Sequence, residues 1–256
     1  MAAKKKLKTV VFLGGKSIGY YCLATLLKQA KALELEVVAV LSNSASQLNT
    51  AGTVESLAEA HHIPLLAHED ELLQLPKVDF LISVQYHRIL KKEHLKRAKQ
   101  AAVNLHMAPL PEYRGCNQFS FAIVDQAKVF GTTIHLMQAG VDNGAILFEK
   151  RFKIPAEIFV KELYAKTEKA SKQLFEKSLP ALIAGDYTPV PQSSLVAKRG
   201  TQFILRKDID KIKCIDLAWP EEKIARHIRA TYFPPFEPPY TLIQGEKYYL
   251  QPKTIK

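Results

Sequence analysis

Asn104 and His106 stand two residues apart at the end of the extended run "AAVNLH", and Pro109 and Pro111 stiffen the chain before Tyr113-Arg114-Gly115. An amide carries N–H donors that can meet negative charge developing on an oxygen. An imidazole titrates near working pH and can take or give a proton. Side by side, they offer a donor and a base to one reacting carbonyl. Each also has a structural use, the asparagine as a turn-former and the histidine as a satisfied core residue. Cys116 adds a rival chemistry, thiol attack in a Cys-His-Asp acyl-transfer arrangement. No Gly-x-Cys elbow or activating context flanks it, so Cys116 is read as lining the pocket.

The elements that must hold these residues follow from the apolar pattern. "TVVFLGG", "EVVAVLS", "IPLLA", "VDFLISV" and "AAVNLH" read as strands. Between them "SIGYYCLATLLKQAKAL", "TVESLAEAHH" (with Thr53 as N-cap) and "KKEHLKRA" read as helices. Such alternation, rich in Val, Ile and Leu, predicts a Rossmann-like α/β core with a largely parallel sheet covered on both faces. Gly14, Gly15 and Gly19 lie at the first strand-to-helix turn, where backbone amides can face an anion. The dinucleotide fingerprint fails because Lys16 occupies its second glycine position, and a P-loop fails because Tyr20 and Tyr21 follow Gly19. NAD and ATP binding at this turn are therefore rejected.

Beyond residue 117, "QFSFAIVDQA" reads as a helix, and "GTTIHLM" and "AILFEKRFKI" as strands flanking the loop "QAGVDNG". His135, inside a strand pattern, is read as a structural histidine. A long amphipathic helix over 158–184 stops at Gly185. Residues 186–207 are expected to carry little packed structure. A helix starts at Pro220, and a hairpin turned at "QG" closes the sequence. The expected division is a catalytic domain over 1–200 and a small C-terminal helix/hairpin extension over 201–256.

Composition bounds the rest. The chain has 256 residues, 47% hydrophobic and 24% charged, ordinary globular values that exclude disorder. No apolar run reaches the roughly 18–20 residues of a membrane span. The basic start followed by "TVVFL" is too short in its apolar part for a signal peptide and lacks a small-residue cleavage site. It reads as a solvated lysine tail ahead of a buried strand, and the expected location is cytoplasmic. Cys22, Cys116 and Cys214 are far apart and in no metal spacing, so free thiols and no metal are expected. A formal charge of +11 favours anionic partners, although scattered surface lysines account for much of it.

Two segments narrow the chemistry. "NLHMAPLPEYRG" resembles the formyltransferase signature N-x-H-x-S-x-L-P-x-Y-R-G, and "GTTIHLMQAGVDNGAI" resembles that family's second segment, T-x-H followed by Asp-x-Gly. Ala108 departs from the signature at its Ser, a position with no assigned catalytic duty. The family includes glycinamide ribonucleotide formyltransferase, methionyl-tRNA formyltransferase and the sugar N-formyltransferases, all of which use N10-formyltetrahydrofolate as formyl donor. The resemblance implies a catalytic trio of Asn104, His106 and Asp142. In it, Asn104 is the oxyanion donor, His106 takes the proton from the attacking amine, and Asp142 orients the imidazole and helps move a proton to the departing folate nitrogen. It also implies a folate pocket made by Gln85, Tyr86, Ile89 and Leu90 with Gln138, Gly140 and Val141. As structural residues, Tyr86 and Leu90 would instead be core.

Three acceptor amines divide that family. About 50 residues follow Gly200, too few for the RNA-binding barrel of a methionyl-tRNA enzyme with its linker. Glycinamide ribonucleotide enzymes lack an extension like "HIRATYFPPFEPPY". The tail and "YRGCNQFSFAI" look most like the sugar N-formyltransferases. The implied substrate is a nucleotide-linked amino sugar, such as a dTDP-3- or 4-amino-dideoxyhexose destined for surface polysaccharide, including lipopolysaccharide O-antigen. Its expected contacts are Lys16, Arg114, Gly115, Cys116, Asn117 and Arg229, with Tyr232, Phe233 or Tyr240 stacking on a base. The bland alternatives are solvation for the cations, helix-end compensation for Arg229, and hairpin packing for the aromatics. Other readings are an RNA-directed enzyme, which no aromatic-basic RNA motif supports, and a non-catalytic folate binder, which would not need the trio. Membrane and nucleic-acid partners are not expected, and the apolar hairpin is a candidate homodimer contact.

Overall fold

The computed structural model describes residues 6–42 and 52–252. Most of the expected lysine tail, residues 1–5, lies outside them. The chain forms two compact units interleaved in sequence. The first runs up to His106 and adds Thr133–Glu149 and Ser171–Ser194; the second comprises Met107–Thr132, Lys150–Ala170 and the chain from Leu195 on.

The first unit opens with β1 (Lys8–Gly14), α1 (Lys16–Gln29), β2 (Leu35–Ser42), α2 (Val54–Ala60), β3 (Leu65–Leu66), β4 (Val78–Val84), α3 (Lys92–Leu95) and β5 (Ala98–His106). Its strands lie in the order β3-β2-β1-β4-β5, all parallel. β1 and β4 are buried along nearly their whole length, as continuous apolar runs require when helices cover both faces. Val11, Leu13, Ala39, Leu41, Leu72, Val78, Leu81 and Leu90 form one buried cluster on this sheet. Burying each larger member contributes roughly 1.5–3 kcal/mol. Thr53 caps α2 as expected, its side chain accepting from the Ser56 amide.

The order of strands fixes where a ligand can bind. β2 and β3 lie on one side of β1, and β4 and β5 on the other. Connections therefore leave in opposite directions between β1 and β4, opening a crevice at the carboxyl ends of these strands. Gly15 N donates to Val84 O at 3.1 Å and ties the two strand ends together.

β6 (Tyr113–Gly115) and α4 (Gln118–Val124) belong to the second unit. β7 (Val129–Leu136) then re-enters the first unit, where Thr133–Leu136 pair antiparallel to β5. β8 (Ile146–Lys153) leaves it again, and α5 (Val160–Ala184) returns to it.

α6 (Ser193–Arg199), β9 (Gln202–Ile204), α7 (Ile209–Lys213), α8 (Glu221–Thr231) and the hairpin β10 (Tyr240–Ile243)/β11 (Glu246–Tyr249) complete the chain. The hairpin turns on Gln244 and Gly245, both at positive φ, as the "QG" pair predicts. A core of the second unit gathers Tyr113, Ile123, Phe130, Ile158, Leu163, Ile204 and Ala230. Residues 186–207 differ from expectation. Val190 forms a bridge with Ile146, α6 follows, and β9 pairs with β6.

Candidate active site

Asn104 and His106 end β5, two residues apart and so on the same face of the strand. The antiparallel register with β7 sets His135 opposite Asn104 and Thr133 opposite His106. The loop from β7 to β8 then carries Asp142 back over this edge. Its carboxylate stands between two imidazoles, with Oδ2 3.6 Å from His106 Nδ1 and Oδ1 3.4 Å from His135 Nε2. His106 and His135 are 4% and 2% exposed, so the charge acts in a poorly screened setting.

Proton positions follow from the partners. His135 Nδ1 lies 2.8 Å from Leu136 O and must donate to it. In the neutral ring Nε2 then accepts from the Asn104 NH₂ at 3.3 Å. With the ring neutral this contact turns the Asn104 NH₂ towards Nε2, whereas a proton on Nε2, which Asp142 Oδ1 at 3.4 Å favours, turns the amide oxygen towards it. The amide keeps a second N–H that a substrate oxygen can take. Asp142 beside Nδ1 of His106 favours a proton there, which leaves Nε2 of His106 as the basic nitrogen.

Asp142 itself adopts a φ of 49°, a left-handed conformation that Asp takes more readily than most residues with a Cβ. Gly144 is drawn so close to the end of β7 that a Cβ there would stand 1.8 Å from Leu136 O. The backbone of β7 therefore requires a glycine at this position. Gly140 has a φ of 111°, and Asn143 donates to Ala139 O at 3.0 Å. Gln138, Gly140 and Val141 all lie in this loop.

The remaining folate candidates follow β4. Gln85 has a φ of 58° and accepts from Lys16 Nζ at 2.8 Å, while Lys16, the first residue of α1, has a φ of 61°. Lys16 and Gln85 thus meet at the β1/β4 crevice. Strained backbone held in place at such a point is a pointer to function. Tyr86 donates to Glu69 Oε2 at 3.3 Å, and Arg88 pairs with the same oxygen at 2.9 Å. Burial first, and then the Glu69 charge, push the Tyr86 hydroxyl up to about 12, so it remains a donor at neutral pH. Ile89 is 67% exposed, whereas Leu90 is buried in the core cluster.

The other substrate candidates belong to the second unit. The Arg114 guanidinium lies over the Phe203 ring, 5.5 Å from its centroid. Gly115 has a φ of 87°, and a Cβ there would meet Ile204 O at 2.3 Å. Cys116 N donates to Ile204 O at 2.8 Å, and Asn117 Nδ2 donates to Leu205 O and Arg206 O. Arg229 pairs with Glu157 at 2.7 Å and lines a cavity of about 190 Å³ with Arg226. Phe233 packs on Tyr164 and Phe236, Tyr232 follows the last turn of α8, and Tyr240 is buried in β10.

The trio expected from the sequence therefore meets in one place, with His135 added to it. The signal for His135 was present in the T-x-H segment, but only the strand register shows that it faces Asn104. Gln192 is a further participant. It is buried, and its Nε2 donates to Asp142 O at 2.9 Å and Gly144 O at 2.7 Å.

Among the described residues no cluster of three or more His, Cys, Asp or Glu is placed to hold a metal ion, and no helix is long and apolar enough to cross a membrane. An open α/β sheet with an amide, an imidazole and a carboxylate grouped at its carboxyl edge has the makings of a group-transfer enzyme acting on a carbonyl carbon. The comparisons name the group. A family model described as formyl transferase matches residues 7–179, and the chain belongs to that family of formyl-transferring enzymes.

GDP-perosamine N-formyltransferase of Brucella melitensis is 27% identical over 236 residues, 90% of this chain and 87% of that protein. Methionyl-tRNA formyltransferase of Levilactobacillus brevis is 30% identical over 196 residues, 72% of this chain and 61% of its own length. A sugar N-formyltransferase structure from a Shewanella species matches with a TM-score of 0.79 at 18% identity, over 97% of this chain and 99% of that one. An N-formyltransferase from Helicobacter canadensis, solved with folinic acid and dTDP-3-aminofucose, gives a TM-score of 0.76 at 22% identity, over 94% and 86%. At these identities the structural likeness establishes the fold.

Proposed function

We propose that this enzyme moves a formyl group from N10-formyltetrahydrofolate to the amine of a nucleotide-linked amino sugar. The observation that carries the reading is the meeting of Asn104, His106 and Asp142 around one point at the end of β5. The donor set fits a formyl carbonyl, with one oriented amide N–H, one imidazole and one carboxylate. The bound folate supplies a formyl carbon joined to a nitrogen able to leave. Asn104 donates to the formyl oxygen as it gains charge, a role worth about 3 kcal/mol in comparable sites. His106 takes the proton that the attacking amine loses as the new C–N bond forms; Asp142 holds the ring and its charge and helps pass a proton to the folate nitrogen as its bond to the formyl carbon breaks. Gln85, Tyr86, Ile89 and Leu90, with Gln138, Gly140 and Val141, are assigned to the folate. Lys16, Arg114, Gly115, Cys116, Asn117, Arg229, Tyr232, Phe233 and Tyr240 are assigned to the nucleotide sugar. Residues 1–200 carry the chemistry and 201–256 form the extension.

Coverage favours a sugar substrate over an RNA-linked one. The Brucella sugar enzyme is matched over 87% of its length and the methionyl-tRNA enzyme over 61%. Those relatives and neighbours name both GDP- and dTDP-linked sugars, so our preference for a dTDP-linked 3- or 4-amino-dideoxyhexose rests on the sequence resemblance. We place the product in surface polysaccharide synthesis, in the cytoplasm. The test is to offer the formyl donor with a panel of dTDP- and GDP-linked amino sugars, glycinamide ribonucleotide and charged initiator tRNA, and to follow formyl gain by mass spectrometry. Gain on a nucleotide sugar supports the reading; gain on tRNA alone overturns it.

A further inference from the structure

We propose that Gln192 is a positioning residue for the transfer reaction, its side-chain amide holding the Asp142 loop so that the carboxylate faces His106 and His135. This rests on the formyl-transfer reading above. The two N–H groups of Gln192 reach Asp142 O at 2.9 Å and Gly144 O at 2.7 Å. They bracket Asn143 and fix the chain immediately after Asp142 in its left-handed conformation. The orientation of the amide is set by its acceptors, since the opposite one would press Oε1 against two carbonyl oxygens.

Gln192 is 7% exposed, and its buried Oε1 meets no hydrogen-bond partner among the described residues. An unpartnered buried acceptor disfavours folding, so an apolar residue of the same length would serve better if packing were the only task. The two donated bonds are what the amide provides. The segment that delivers it is anchored next to the loop's exit, where Val190 exchanges two 2.8 Å backbone bonds with Ile146. At the loop's entrance, Leu136 N donates to Ala145 O at 2.9 Å. Between these fixed ends, Gln192 is a long-range partner that meets backbone on both sides of the Asp142–Gly144 turn.

Gln192→Met keeps the side-chain length and removes both bonds, and Gln192→Asn keeps the amide but falls one methylene short. Both variants should lower kcat between about 10- and 100-fold, the scale that a displacement of about 1 Å costs a catalytic group, with either KM changed less than about threefold. In an Asp142→Ala background the same substitutions should add less than about twofold, because the clamp acts through that carboxylate. Amide hydrogen exchange over residues 138–145 should quicken while β1 and β4 keep their protection. Unchanged kcat, losses that multiply with Asp142→Ala, or unchanged exchange in that loop would each overturn the proposal. If the wild-type enzyme formylates none of the offered amines, the functional reading is what fails, and loop exchange alone then decides whether Gln192 is a clamp.

Discussion

Two loops at the carboxyl edge of the sheet carry a residue with a side chain at positive φ, and they are held in different ways. The Asp142 loop is fixed through its backbone by a buried amide from Gln192 and by a glycine that admits no Cβ. The stretch after β4, starting at Gln85, is held through side chains. Lys16 meets Gln85, and Glu69 takes both the Tyr86 hydroxyl and Arg88, a residue whose side chain is 40% exposed. Glu69 in turn sits on a short turn secured by the fully buried His94, which contacts Asp70 at 2.9 Å. Charge pairs at such exposure are worth about 0–1 kcal/mol. A catalytic carboxylate has to keep one geometry throughout a reaction, and a stretch that receives a ligand has to give. The first loop has the fastening of a fixed part, the second that of an adjustable one.

The largest effect that sharpens this contrast belongs to the trio. His106→Ala and Asp142→Ala should each lower formyl transfer at least about 100-fold while circular dichroism stays native, as loss of a general acid–base commonly does. Next comes Gly144→Ala. A Cβ at 1.8 Å from Leu136 O must push the loop away, so kcat should fall about tenfold or more and stability by about 1–3 kcal/mol, read by denaturant titration. Glu69→Gln should act on the adjustable stretch, raising KM for the formyl donor about three- to fivefold and leaving kcat within about twofold. A larger loss of kcat there would erase the distinction between the loops. Smallest of all, Cys116→Ser should keep turnover within about threefold. An abolished rate with a trapped formyl-enzyme would instead establish thiol attack.

Much of this was legible in the sequence for a physical reason. Buried parallel strands such as "TVVFLGG" and "VDFLISV" advertise themselves as continuous apolar runs, and a glycine such as Gly185, with a φ of 79°, stops a helix by its own backbone preference. The trio was legible because two motifs bring its members with recognisable neighbours. What escaped depends on partners distant in sequence. β9 is three residues long and exists because Tyr113, Arg114 and Gly115 pair with it, so its own propensity says little. The expected helix "KKEHLKRA" shrinks to four residues, and its buried His94 contacts Asp70, 24 residues earlier. His135 looked like any histidine in an alternating strand until the register with β5 set it opposite Asn104. Gln192 lies in a stretch rich in Pro and Ser that was expected to carry little packed structure, and only the Val190–Ile146 bridge shows why it packs.

The central claim is that His106 and Asp142 act as one unit on a formyl carbon. Single-turnover transfer to a nucleotide-linked amino sugar, measured for His106→Ala, Asp142→Ala and the double variant, tests it most directly. Each single variant should lose at least about 100-fold and the double variant no more than a few-fold beyond the worse single, as residues acting together do. Near-native turnover in either single variant, or losses that multiply in the double, would contradict it.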